Sequence, residues 1–191
     1  MAFSPLFEEA LVYAAQLHAQ QWRKGTQIPY VGHVLGVCSI AIEYGADEDE
    51  AIAALLHDGP EDQGGIAVLN NIRKRFGSRV AEIVEGCSDT FEIPKPPWRA
   101  RKEAYIAHLP FASQSIRLVS AADKLYNARA ILNDWLRIGD LIWSRFNGGK
   151  DGTLWYYRAL VVGYQTQSEA QLNPLVDELN RVVTELERVA G

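Results

Sequence analysis

His57 and Asp58 close an apolar run, Ala53-Ala54-Leu55-Leu56, and Glu61 and Asp62 follow within four residues. A helix that buries Leu55 and Leu56 delivers an imidazole and a carboxylate to the edge of a core. Neighbouring side chains point about 100° apart around a helix, so the two can share one ligand only if it sits beside the helix and near its axis. A cation suits that place, because imidazole nitrogen and carboxylate oxygen both ligate first-row divalent metals. Gly59-Pro60 is expected to stop the helix, leaving Glu61 and Asp62 one turn further along. Taken alone, the stretch reads more readily as a helix end with solvated acids.

Asp123 changes that balance. Ile116, Val119, Asp123, Tyr126 and Ala130 recur at spacings of three and four on one helix face, so a carboxylate stands where an apolar residue belongs. A buried carboxylate costs several kcal/mol unless it is paired or bound to metal. Lys124 and Arg129 are poorly phased along the helix to serve it, which makes a cation the expected partner. His33 lies in the first turn of another helix, where backbone N–H groups disfavour a protonated ring and suit a neutral, metal-binding imidazole. His33, His57, Asp58 and Asp123 therefore offer two imidazoles and two carboxylates from three helices. This donor set fits Mn²⁺, Fe²⁺ or Zn²⁺, and its carboxylate content leans towards Mn²⁺; a structural zinc site would rather use cysteine.

The elements that must position these groups are helical throughout. Ser4-Pro5 opens a helix near 5–20 carrying Phe7, Ala10, Leu11, Ala14 and Leu17, and His18 continues that stripe as a core histidine with one hydrogen bond. Residues 21–30 form a polar loop, Gly32-His33 opens a helix ending near Gly45, and Asp47 caps a third whose acidic first turn matches the helix dipole. Gln63-Gly64-Gly65 reads as a loop. Amphipathic helices follow over Ile66–Phe76, after a Ser78 cap, over Trp98–Leu109 and over Ser113–Ile138. A loop at 89–97 carries Lys95 and three prolines. Phe146–Gly152 reads as a glycine-rich loop that lacks the ending of a phosphate-binding Walker loop. Thr153 is expected to cap a helix, and a last one spans 167–189. No stretch alternates as a strand does. The fold class is all-α, one domain over residues 1–191 with about eight to ten helices.

Composition narrows the function classes. The 191 residues suffice for a substantial core, and the net charge of −5 argues against a general nucleic-acid binder. A small anionic substrate stays open, since it needs only a local cluster of cations. No run approaches the roughly 20 apolar residues of a membrane span, and Met1–Pro5 lacks a signal peptide's basic and apolar regions. Cys38 and Cys87 sit on apolar stripes as small core residues. A cytoplasmic protein with no membrane partner is the simplest expectation.

The spaced set His33, His57-Asp58 and Asp123 resembles the H…HD…D pattern of the HD-domain phosphohydrolases. Arg23-Lys24 ahead of Tyr30 and His33, Glu61-Asp62 after the doublet, and Ala122-Asp123-Lys124-Leu125-Tyr126-Asn127 resemble the hydrolase domain of RelA/SpoT-type small alarmone hydrolases, over about residues 7–165. The chain departs from that pattern at Gly59-Pro60 and after Asn133. The resemblance implies an all-helical HD domain and metal-dependent removal of the 3′-pyrophosphate of (p)ppGpp, yielding GDP or GTP. By the same resemblance Glu61 and Asp62 orient the attacking water and handle its proton. Arg23, Lys24 and Lys95 grip phosphate, with Arg101 and Arg145 as further candidates. Lys124 and Asn127 line the nucleotide pocket, and Tyr156 contacts ribose or base. His108 is expected to be an ordinary helix-end residue. Competing expectations are the same chemistry on (p)ppApp, the 2′-phosphate of NADPH or a nucleotide 5′-phosphate, and a non-catalytic nucleotide-binding module.

Overall fold

The computed structural model of the chain describes residues 3–90, 94–166 and 172–191. Among them are ten α-helices: α1 Pro5–Leu17, α2 Val31–Glu43, α3 Glu48–Leu56, α4 Gly59–Gln63, α5 Gly65–Phe76, α6 Ser78–Cys87, α7 Trp98–His108, α8 Gln114–Ile138, α9 Gly149–Tyr164 and α10 Asn173–Ala190. Short 3₁₀ turns at Leu109–Phe111 and Gly139–Arg145 flank α8. No strand occurs among the described residues; a single bridge, Trp22 to Pro29, pins the loop between α1 and α2.

The core is built around α3. Its start is fixed by a capping box: the Glu50 N–H donates to Asp47 Oδ1 at 3.0 Å, and the Asp47 N–H donates to Glu50 Oε2 at 2.8 Å. Every residue from Ala51 to Leu56 is buried, so the helix is apolar all round and has neighbours on every side. These are α1, α2, α5, α6 and α8. Burying Leu55 and Leu56 contributes roughly 2 kcal/mol each, and that burial fixes where His57 and Asp58 emerge. The long α8 packs on α2, α3 and α6, while α9 and α10 cover its other side.

Where α2 and α8 meet, a Cβ on Gly36 would lie 2.1 Å from the Tyr126 ring, so only glycine permits this approach. That crossing brings His33 of α2 level with Asp123 of α8.

Several local expectations are corrected. α3 ends at Leu56, ahead of Gly59-Pro60, and the pair expected to stop it instead opens α4, with both residues buried. Proline is tolerated in a first turn because the N–H it lacks would have no intrahelical acceptor. Gln63 closes α4 and Gly65 begins α5, leaving Gly64 at positive φ as the joint. Gly77, not Ser78, precedes α6 as its cap residue. The first helix ends at Leu17. The glycine-rich segment is only partly a loop, because α9 begins at Gly149; Thr153 lies inside it and donates to the Gly149 carbonyl at 2.6 Å. The last helix begins at Asn173, and residues 167–171 of the expected span lie outside the described residues. Cys38 is buried and Cys87 half-buried.

Candidate active site

Three helix ends and one helix face converge at the centre. His57 caps α3, and its ring Nδ1 lies 2.8 Å from the Ala54 carbonyl. That carbonyl accepts from Nδ1–H, so Nε2 carries the lone pair. Nε2 faces Asp58 Oδ2 at 3.0 Å and Asp123 Oδ1 at 3.6 Å, without making an aligned hydrogen bond. From the first turn of α2, His33 Nε2 approaches the same two oxygens at 3.1 and 3.3 Å. Both imidazoles and Asp123 are buried, and Asp58 is half-buried.

One ligand atom from each of His33, His57, Asp58 and Asp123 falls within 4.8 Å of the others. The chemistry of this donor set fits a divalent cation. Two carboxylates point at one spot together with an imidazole lone pair that has no hydrogen-bond partner, and a positive ion satisfies all of them. In the metal-free protein a proton does part of that work. Burial alone would push the His57 imidazole down, but the Asp58 carboxylate, aided by Asp123, holds it well above its ordinary range. Burial likewise opposes ionisation of both acids, yet His57 beside Asp58, and Lys124 beside Asp123, hold the carboxyls well below the usual range.

Supporting groups fix the acids. The Tyr30 hydroxyl donates to Asp58 Oδ2 at 2.6 Å. Asn127 Nδ2 donates to Asp123 Oδ1 at 2.6 Å, and Lys124 Nζ donates to Asp123 Oδ2, also at 2.6 Å. The expectation that Lys124 cannot serve Asp123 is thus corrected: its long stem folds back along the helix to its own neighbour. Arg129 instead pairs with Glu178. Beyond Asp58, Glu61 Oε1 pairs with Lys95 Nζ at 2.9 Å, and Asp62 Oδ2 accepts from Gln21 Nε2 at 2.7 Å. Burial, then the nearby Asp58 charge, pushes the Asp62 carboxyl up.

A cavity of about 830 Å³ opens beside this centre, and its walls include Arg23, Lys24, Lys102, Lys124, Arg137 and Arg145 but only one carboxylate, Asp134. Tyr30, Lys124 and Asn127 belong both to that wall and to the carboxylates' surroundings.

An HD domain family model matches residues 10–153. This chain belongs to the HD domain family. Curated relatives named guanosine-3′,5′-bis(diphosphate) 3′-pyrophosphohydrolase MESH1 are similar to it. The Xenopus tropicalis protein is 42% identical over 127 residues, covering 65% of this chain and 68% of that relative. The human protein is 37% identical over 124 residues, covering 63% and 66%. A solved structure described as a metazoan ortholog of SpoT that hydrolyzes ppGpp superposes with a TM-score of 0.77 at 28% identity, covering 100% of this chain and 99% of that one. A protein from Listeria monocytogenes gives 0.73 at 27% identity, covering 82% of this chain.

Around the HD centre, six of the eight residues expected to hold substrate line the cavity: Arg23, Lys24, Lys124, Asn127, Arg145 and Tyr156. Arg23 donates to Asn127 Oδ1 at 3.0 Å, and Arg145 to Asp134 Oδ2 at 2.7 Å. Lys95 and Arg101 are not on its wall. Lys95 holds Glu61; Arg101 is tied to Asp89 and donates to the Pro96 carbonyl at 3.0 Å. Sequence reasoning passed over three residues that the fold brings in. Lys102 reaches the cavity wall with its ammonium 4.9 Å from the Tyr156 ring. Its place three residues before buried Tyr105 puts it on the inward face of α7, and that spacing was the available signal. Tyr30 and Gln21 carried no periodic signal, because both belong to an aperiodic loop; Tyr30 stood only as a member of the family pattern with Arg23, Lys24 and His33.

Proposed function

We propose that this HD-domain chain is a metal-dependent hydrolase of guanosine alarmones, converting ppGpp or pppGpp to GDP or GTP with release of pyrophosphate. The observation that carries this reading is the four-ligand cluster set beside a cavity rich in cations. A polyphosphorylated nucleotide can place its scissile phosphoryl at the cluster and its remaining charge against Arg23, Lys24, Lys124 and Arg145. The relatives' names and the ppGpp-hydrolysing structural relative support the same substrate class.

In this reading His33, His57, Asp58 and Asp123 hold one divalent ion, with Mn²⁺ the favoured metal for so carboxylate-rich a set. When bound, that ion acidifies water and offsets negative charge on the phosphoryl oxygens. The chain's own groups do the rest. Glu61 and Asp62 orient the attacking water and take its proton, and the raised affinity of Asp62 for a proton suits it to that task. Water oxygen bonds to the 3′-linked phosphorus, the bond from phosphorus to the ribose oxygen breaks, and that oxygen ends protonated as the 3′-hydroxyl. Arg23 and Lys24 grip phosphate, Lys124 and Asn127 bind the nucleotide, and Tyr156 meets ribose or base. Lys95 and Arg101 act from outside the cavity wall, Lys95 by exchanging Glu61 for a phosphate oxygen. The enzyme works as one domain in the cytoplasm, on a small nucleotide and without nucleic acid. No helix among the described residues is long and apolar enough to cross a membrane.

The test is a Mn²⁺-supplemented assay of ppGpp, ppApp and NADPH side by side, with products separated by chromatography. GDP and pyrophosphate from ppGpp are expected. Preferential turnover of ppApp or NADPH would move the substrate assignment. Turnover of none of them would overturn the reading.

A further inference from the structure

The buried histidine of α1 has no place in the chemistry described so far, and its surroundings give it one. His18 is 1% exposed, and its Nδ1 lies 2.6 Å from Gln21 Oε1. The Gln21 amide nitrogen in turn donates to Asp62 Oδ2 at 2.7 Å. This relay has a fixed direction. A carboxylate can only accept, so the Gln21 NH₂ must face Asp62, its carbonyl must face His18, and His18 must carry its proton on Nδ1. The Gln63 amide also donates to Gln21 Oε1, reinforcing the same orientation. The other face of the relay leads to the metal ligands. The His18 ring packs on the Tyr30 ring at 5.0 Å, and the Tyr30 hydroxyl holds Asp58.

His18 bears a cost for this arrangement. Its Nε2 is buried without a hydrogen-bond partner, at the end of a stripe of Ala10, Ala14 and Leu17 where an apolar side chain such as leucine would bring no such atom. What a leucine could not supply is the Nδ1–H that sets the Gln21 amide. Backbone bonds hold Gln21 itself in register: its N–H donates to the His18 carbonyl at 3.1 Å, and its carbonyl accepts from the Tyr30 N–H at 2.9 Å.

We infer that Gln21 and His18 are positioning residues for the reaction: Gln21 aims the Asp62 carboxylate at the attacking water, and His18 locks the Gln21 amide so that it can. The inference rests on the hydrolase reading. Without the donor, the carboxylate is free to turn away from the water.

The test is a double-variant cycle on the full chain with Mn²⁺ and ppGpp. Gln21→Leu and His18→Leu are each expected to lower kcat about tenfold or more, while KM and the Mn²⁺ affinity read by calorimetry without substrate stay within about twofold of wild type. Added to Asp62→Asn, neither should lower kcat further, because both act through that carboxylate. His18→Asn, whose amide N–H takes the place of Nδ1–H, should keep most of the wild-type rate; where a leucine variant does not fold, Gln21→Glu and His18→Phe, which lack the donor at those places, form the same cycle. Additive losses with Asp62→Asn, a parallel fall in Mn²⁺ affinity, or unchanged kcat would each overturn the inference. Failure of the wild-type chain to hydrolyse ppGpp would instead remove the hydrolase reading on which it stands.

Discussion

At the scale of single residues, the site depends on unlike charges held closer than water would allow. Asp123 makes this plain: it receives Lys124, Asn127 and two imidazoles within 3.6 Å and is 5% exposed. Asp123→Asn removes one charge and one ligand while keeping shape. Mn²⁺ affinity should fall at least about 100-fold, since disturbing even the partners of metal ligands costs 10–100-fold, and calorimetry reads it directly. Retained affinity and activity would refute the ligand assignment. Arg23 offers a second check. A hydrogen bond from its guanidinium to a charged phosphate would contribute about 1.5–3 kcal/mol, so under the proposed role Arg23→Ala should raise KM for ppGpp roughly tenfold. A nucleoside monophosphate ester should be affected less; equal effects on both would count against phosphate recognition there. The Asp123 position was legible in the sequence because a carboxylate interrupts an apolar stripe. Its pairing with Lys124 was not, because helical phasing describes Cβ directions and not where a four-carbon stem can fold.

At the scale of elements, apolar periodicity located the helices, and local punctuation was read less well for one physical reason. Pro60 and Thr153 each belong to residue types with two helical roles. Proline ends a helix from its interior but starts one from its first turn, and threonine caps an end or bonds back to a carbonyl four residues earlier. Which role is taken depends on tertiary neighbours that spacing does not reveal. The same neighbours make the α2–α8 crossing sensitive. Gly36→Ala would place a methyl 2.1 Å from the Tyr126 ring, between the helices that carry His33 and Asp123. Overpacking of this kind costs about 1–3 kcal/mol, and under the proposed assignment it should also weaken metal binding, because it parts His33 from Asp123. Asp47→Ala provides the contrast. Loss of the α3 cap should cost about 1 kcal/mol in urea unfolding, while Mn²⁺ affinity stays unchanged. If both variants lost affinity equally, the site would be sensitive to stability in general and not to that crossing.

For the whole molecule, net charge and local charge have opposite signs. The chain carries −5 overall, yet its cavity wall gathers Arg23, Lys24, Lys102, Lys124, Arg137 and Arg145. A small polyanion thus meets a cationic pocket on a chain that is acidic overall. Inside, the cluster of His33, His57, Asp58 and Asp123 should couple stability to both pH and metal. With metal removed, His57 binds a proton more tightly folded than unfolded, so its contribution is complete below about pH 6.5 and is lost as pH rises through the raised folded value. Asp58 and Asp123 work in the other direction: their contribution is present above about pH 3.9 and is lost only as pH falls through their depressed values. The metal-free chain should therefore lose stability between neutral and alkaline pH while its carboxylates stay ionised. A divalent ion takes the place of the His57 proton, so its stabilising effect should grow over that interval as competition from the proton fades. At free metal 100 times Kd, the gain is about 2.7 kcal/mol, or roughly 5–10 °C in Tm for a chain of this size. Melting curves in EDTA and in Mn²⁺ at pH 6, 7, 8 and 9 measure the difference. A metal-induced shift that stayed constant or shrank from pH 6 to 9 would show that proton and metal do not compete for this cluster.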